Sequence, residues 1–119
     1  MIYNQNEFDV RLEWGQKGVE ELSSISDVVI IIDILSFSTC VDIVTGNLAS
    51  VIPYKWKDKT AVEFAKNKNA ILADSKQQYS TSYSLSPTSL LAVKKQEKIV
   101  LPSPNGSTLS LATGNAIRN

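Results

Sequence analysis

The sequence contains no histidine and a single cysteine, Cys40. Without histidine the commonest metal ligand and general base is missing, which excludes zinc sites of the usual kind. One cysteine cannot form an intramolecular disulfide, and no histidine is present to activate it as a nucleophile. We therefore expect Cys40 to be a small core residue, and a reducing compartment, the cytoplasm, as the location of the protein.

An excess of charge of one sign and a long apolar run are also missing. Lys plus Arg and Asp plus Glu each number 12, so no net charge recruits nucleic acid or an anionic membrane. The longest clear apolar run, residues 28–32, is far too short to span a bilayer. A chain of 119 residues with 43% hydrophobic residues suits one globular domain over residues 1–119. Neither nucleic acid nor a membrane is expected as a partner.

Segments typical of strands and helices alternate along the chain. Residues 8–14 show the apolar and polar alternation of a half-buried strand, and residues 28–32 form a β-branched run that predicts a central strand of a parallel sheet. Further strands are predicted at residues 50–54, 70–73 and 98–101, helices at residues 16–25, 38–45, 58–68 and from about 107, and a surface loop at residues 76–89. This order predicts an α/β fold, a three-layer α/β/α arrangement with a largely parallel sheet.

Two predicted strands lead into helices through similar sequences, DILSFST at residues 33–39 and LPSPNGST at residues 101–108. In parallel sheets, ligands bind beyond the carboxyl ends of the strands, near helix N-termini with unpaired N–H groups. A carboxylate there is costly unless it is paired or metal-bound, so Asp33 is a candidate functional residue. The two junctions are expected to face one anion site, although helix capping and a simple turn also explain their hydroxyls and the Asn-Gly pair. The further candidates are Ser38, Thr39, Asn105, Gly106 and Ser107.

Six stretches together resemble the 2-phosphosulfolactate phosphatase family. They are EWGQKG at 13–18, SDVVIIIDILSFST at 26–39, VIPY at 51–54, AILAD at 70–74, SP at 86–87 and SPNGS at 103–107. The resemblance implies a Mg²⁺-dependent phosphoric monoester hydrolase of the coenzyme M pathway. Such an enzyme converts 2-phosphosulfolactate, a small phosphorylated and sulfonated acid, to 3-sulfolactate and phosphate. By the same resemblance Asp33 would be the catalytic residue and metal ligand, while Ser38, Thr39 and the backbone of Asn105, Gly106 and Ser107 would hold the phosphoryl oxygens.

Three places depart from the family pattern. Ser36 replaces an arginine, Asp74, Ser75 and Lys76 replace Gly-Glu-Arg, and Leu85 lies in what is Gly-Asn-Ser-Pro in the family. Arginine binds phosphoryl oxygens and a carboxylate holds the metal, so these changes remove charges that stabilise the transition state. Asp74 and Lys76 are the residues that would replace part of the lost charge.

The resemblance covers only the N-terminal portion of the family fold, so an incomplete core is expected. Two alternatives therefore stand beside the phosphatase. One is a catalytically impaired relative that binds a small anion. The other is a fragment that forms a homo-oligomer through its incomplete core.

Overall fold

The computed structural model describes residues 5–34, 36–73 and 83–114. In these ranges the helices are α1 (Gly15–Leu22), α2 (Phe37–Gly46), α3 (Lys59–Asn67) and α4 (Gly106–Ala112), and the strands are β1 (Ser50–Tyr54), β2 (Ile71–Leu72) and β3 (Lys98–Pro102). Two 3₁₀ turns lie at Ser23–Ile25 and Pro87–Leu90. Each helix predicted from the sequence is found with its ends shifted by a few residues. Most of the predicted loop at residues 76–89 lies outside the described residues.

The strands of the described residues form one parallel sheet in the order β1-β3-β2. β3 pairs with β1 from Ser50 opposite Lys98 to Tyr54 opposite Pro102, and it pairs with β2 at Ile71 and Leu72. Residues 99–102 are buried, as expected for a strand that is covered on both faces. The predicted α/β class with a parallel sheet is confirmed, while the three-layer arrangement stays a prediction.

The two faces of β3 belong to different apolar clusters. Ile99 and Leu101 pack in a cluster with α2, whereas Val100 packs in a second cluster with α3. This division follows from the period of two along a strand, which sends successive side chains to opposite faces. Cys40 of α2 is fully buried in the first cluster, which confirms its prediction as a core residue.

The start of α3 is fixed by a cap that also reaches β1. The Asp58 carboxylate accepts a hydrogen bond from the N–H of Thr60 at 3.0 Å and another from the Thr60 hydroxyl. The Tyr54 hydroxyl at the end of β1 donates to Thr60 Oγ1 at 2.7 Å. This capping connects the end of one strand to the next helix. None of the helices in the described ranges has both the length and the apolar character needed to cross a bilayer.

The predicted central strand at residues 28–32 is wrong. These residues have no regular secondary structure, and Val28, Ile30 and Ile32 are strongly exposed. The central strand is β3 instead, because the sheet of the described residues is built from residues 50–54, 71–72 and 98–102. A β-branched run favours a strand locally, but the pairing partners decide which strand becomes central.

The predicted strand at residues 8–14 is also wrong, because this segment has no regular strand structure and its backbone at Leu12 is bound by a side chain instead. The Gln5 amide holds Leu12 from both sides, donating to its carbonyl at 2.9 Å and accepting from its N–H at 3.2 Å. The Arg11 guanidinium donates to the carbonyls of Gln5 and Ile25, each at 3.0 Å. Residues 5–14 therefore form a closed loop, and Phe8, Val10, Leu12 and Trp14 remain exposed.

Candidate functional site

Asp33 lies directly before α2 and is held there by Ser38. The N–H of Asp33 donates to Ser38 Oγ at 3.0 Å, and the N–H of Ser38 donates to the Asp33 carbonyl at 3.2 Å. This reciprocal pair fixes the backbone of Asp33 at the start of the helix, in the manner of a capping interaction. Because the strand at residues 28–32 is not formed, Asp33 lies at a helix start but not at the end of a sheet strand.

The polar groups next to this pair are open. The Asp33 carboxylate is partly exposed and has no hydrogen-bond partner among the residues that the structure describes, and the exposed Thr39 hydroxyl has none either. The N–H groups of Phe37 and Thr39, in the first turn of α2, donate to no described residue. N–H groups that have no partner among the described residues, at the start of a ten-residue helix, favour an anion.

At the start of α4, more of the polar groups are already hydrogen-bonded to other groups of the chain. The N–H of Gly106 donates to Ser103 Oγ at 3.1 Å, and the buried Ser107 hydroxyl donates to the Leu101 carbonyl at 2.8 Å. Asn105 is exposed, and its side chain does not cap the helix. A ligand could therefore reach the Asn105 amide directly, whereas it would have to displace the Ser103 hydroxyl to reach the Gly106 N–H.

The two helix starts touch each other at Phe37 and Gly106. Both are buried, and a Cβ added to Gly106 would lie 2.3 Å from atoms of the Phe37 ring. Only glycine fits against the ring at this distance. The contact brings together the two junctions that the sequence pairs by their similarity, although a shared ligand site between them stays a prediction.

Two of the positions that depart from the family pattern meet in the structure. The Ser36 hydroxyl donates to the Leu85 carbonyl at 2.5 Å, and Cys40 Sγ donates to the same carbonyl at 3.3 Å. Burial raises the pKa of the Cys40 thiol, and the hydrogen bond with Ser36 offsets only part of that effect. Cys40 is therefore protonated at neutral pH. The other positions that depart from the family pattern, Asp74, Ser75 and Lys76, lie outside the described residues.

Tyr83 is a second group that stays protonated. Burial raises the pKa of its hydroxyl, and the charge of Glu97 raises it further. The hydroxyl donates to Glu97 Oε2 at 3.3 Å. A phenol with a raised pKa next to a carboxylate is a structural donor rather than a proton source near neutral pH.

A cleft of about 250 Å³ extends the region of Asn105 toward α1. Its polar lining comes from Gln16, Asn105 and Thr108, with Gly15, Pro104 and Leu109 completing the wall. Gln16 was not predicted as a site residue, because the helical spacing of residues 16–25 indicated only an amphipathic helix. The available signal was EWGQKG, one of the stretches that carry the family resemblance.

Few of the described side chains in this region could bind a divalent cation. Among the described residues no group of three or more His, Cys, Asp or Glu side chains could hold a metal ion. Mg²⁺ keeps several waters and is often held by one or two carboxylates together with substrate phosphate. The open carboxylate of Asp33 therefore suits Mg²⁺ that arrives with a phosphorylated ligand, and does not suit a cation held by protein groups alone.

Comparisons of the chain with family models, with curated protein sequences and with solved structures give no match in any of the three.

Proposed function

We propose that this protein binds a small phosphorylated acid at the joined starts of α2 and α4 and hydrolyses its phosphate ester with Mg²⁺. The observation that carries the proposal is the contact between Phe37 and Gly106, which brings the first turn of α2 against the start of α4. Asp33 is bonded to Ser38 in that first turn. The six stretches that resemble the 2-phosphosulfolactate phosphatase family support the same reaction, with 2-phosphosulfolactate as the first substrate to test.

Each group at the α2 start has a role in the proposed reaction. Asp33 would hold Mg²⁺, which would neutralise charge on the phosphoryl oxygens. The Thr39 hydroxyl and the N–H groups of Phe37 and Thr39, which donate to no described residue, would donate to these oxygens. Ser38 keeps Asp33 in position through its two hydrogen bonds, and its own O–H donates to no described residue. Water then replaces the alcohol on phosphorus, releasing the hydroxy acid and phosphate.

The amide of Asn105 supplies the contact from the α4 side. Its side chain is exposed at the edge of the cleft and can donate to the acid group of the substrate. Gly106 and Ser107 contribute mainly by shape, since the first packs on Phe37 and the second is anchored to the Leu101 carbonyl. Binding through Asn105 does not distinguish a sulfonate from a carboxylate.

Substitution of Asp33 tests the reaction. We expect Asp33→Asn to lower Mg²⁺-dependent release of phosphate by at least about 100-fold, the order of magnitude lost when a charge-stabilising group is removed. The matched control is Asp42→Asn, because Asp42 is an exposed carboxylate on α2, the helix that follows Asp33. The measurement is phosphate release from 2-phosphosulfolactate and from phosphorylated carboxylic hydroxy acids, with and without Mg²⁺. Wild-type turnover in Asp33→Asn would remove Asp33 from the mechanism.

A second candidate is a relative that binds the anion without hydrolysing it. It is favoured by Ser36, which occupies the position where the family pattern has an arginine. The Ser36 hydroxyl donates to the Leu85 carbonyl. Neither junction, residues 33–39 or 101–108, contains Lys or Arg, so Mg²⁺ would be the main positive charge there. Calorimetric binding of the phosphorylated acid with no release of phosphate would support this candidate over the enzyme.

A further inference from the structure

Four apolar side chains form an exposed strip directly before α2. Val28, Ile30, Ile32 and Ile34 are exposed by 75%, 79%, 70% and 75%, whereas Val29, at 38%, Ile31 and Asp33 between them are less exposed. We call these four side chains the apolar strip. Their alternation has the period of a strand with two distinct faces. Because β-branched residues of this kind favour strands, the strip is suited to pair with another strand.

The backbone of this segment is available for pairing. No N–H or carbonyl of residues 28–32 is hydrogen-bonded to any residue that the structure describes. Backbone groups next to apolar side chains are costly to bury unless they are paired, so a partner at this segment must supply backbone hydrogen bonds. Another strand does so, and it also places its own side chains beside those of the strip.

The sheet of the same chain offers a poor edge for this strand. In β1, the N–H of Ser50 and the carbonyl of Tyr54 face β3, so the alternate residues Val51 and Pro53 face the free edge. Pro53 has no N–H to donate, and a proline at an edge hinders the addition of a strand. The other edge, β2, is only two residues long.

We propose that the apolar strip pairs with the strip of a second copy of this chain, in an antiparallel arrangement with Ile31 opposite Ile31. The charges at its ends disfavour two alternative arrangements, and the register centred on Ile31 pairs all four residues of the strip with one another. Parallel pairing in register would place Asp33 beside Asp33, and antiparallel pairing centred on Ile30 would place Asp27 opposite Asp33; like charges that face each other across strands are destabilising. Centring on Ile31 places Asp33 opposite Val29 instead and pairs Val28 with Ile34 and Ile30 with Ile32.

The size of this contact predicts a dimer that dissociates on dilution. Pairing of residues 28–34 with the same residues of a second copy removes on the order of 500 Å² from solvent on each copy, at the low end of specific interfaces. The pairing is self-complementary, as an interface with twofold symmetry requires. This proposal concerns a surface before α2 and does not depend on the proposed reaction.

Solution mass tests the pairing surface. We expect the wild-type chain to approach twice its monomer mass of 13.1 kDa in sedimentation equilibrium as its concentration is raised. Ile30→Lys should remain a monomer, because each lysine would lie opposite Ile32 of the other copy and would remove both of the Ile30–Ile32 contacts across the strands. The control Leu91→Lys places the charge on another exposed apolar residue, a leucine that is 65% exposed and lies outside the strip, and this variant should dimerise. A monomeric wild-type chain, or dimerisation of Ile30→Lys like that of the wild type, would overturn the proposal.

Cross-linking tests the register. Ile31→Cys should form a disulfide-linked dimer under mild oxidation, because the two introduced thiols would lie directly opposite each other. Val29→Cys should not, because residues 29 of the two copies would lie about 13 Å apart along the strands. The native thiol does not compete, since Cys40 is buried. Linkage by Ile30→Cys in place of Ile31→Cys would show the register centred on Ile30 and would overturn the proposed one.

Discussion

At the scale of single residues, the contact between Gly106 and Phe37 connects the two helix starts of the candidate site. The ring of Phe37 is buried and occupies the space that a side chain at position 106 would need. Gly106 is therefore required by close packing, because its φ is not in the left-handed region. The Asn-Gly pair in the sequence predicts a turn, whereas in the structure the glycine is required because it packs directly against the Phe37 ring.

Substitution of Gly106 tests whether glycine is required there for close packing or for its backbone conformation. We expect Gly106→Ala to lower the free energy of unfolding by about 1–3 kcal/mol, because the added methyl group overlaps the Phe37 ring. Gly46→Ala is the control, since a Cβ at Gly46 meets nothing within 4 Å at the end of α2 and should stabilise by up to about 1 kcal/mol. Urea unfolding measures both variants. Equal effects at the two positions would contradict the packing role of Gly106.

The sequence predicted part of the candidate site at this scale. The hydroxyls of Ser38 and Thr39 could be predicted because hydroxyls at a helix start have a local signature. Asp33 was predicted at the end of a strand that is not formed, and it lies before α2 instead. The role of Phe37 could not, because its contact with Gly106 joins residues far apart in the chain. The hydrogen bond between Ser36 and Leu85 was not foreseen for the same reason.

At the scale of elements, local patterns predicted the helices better than the strands. The helical spacing in residues 58–68 was sufficient because a helix forms its backbone hydrogen bonds within itself. Residues 28–32 and β3 both present short apolar β-branched runs, and only the latter is in the sheet. A strand depends on partners elsewhere in the chain, so its apolar pattern alone does not determine its place.

The cap of α3 gives a prediction at this scale. We expect Asp58→Ala to lower the free energy of unfolding by about 1 kcal/mol, because the N–H of Thr60 loses its acceptor. Glu63→Ala removes an exposed carboxylate from the middle of the same helix and should have little effect. Thermal and urea unfolding measure the difference. If both variants lose the same stability, the effect belongs to charge rather than to capping.

At the scale of the whole molecule, the chain is elongated. Its extents are 50 × 27 × 23 Å and its radius of gyration is 15.2 Å. A compact domain of this length has a radius of gyration of about 13.5 Å. None of the buried apolar side chains in the described residues precedes Phe37, so residues 5–34 add exposed apolar surface without adding to either core cluster.

The balanced charge of the whole chain predicts how the proposed dimer responds to salts. We expect NaCl to leave its dissociation constant little changed, because the net charge is zero and the paired strip is uncharged. Sodium sulfate at the same ionic strength should strengthen the dimer, since sulfate favours burial of apolar surface. Sedimentation equilibrium in the two salts measures this difference. Marked weakening by NaCl would indicate an interface held by ion pairs.

The strand order has a consequence for the time course of synthesis. β1 and β2 both pair with β3, and within the described residues they do not pair with each other. Because β3 is the last of these strands to be made, ribosomes adding about 5–20 residues per second leave β1 waiting for roughly 2–10 s before its partner exists. During that interval the nascent chain can form α2 and α3 but none of this sheet, so sheet formation begins only when residues 98–102 leave the ribosome.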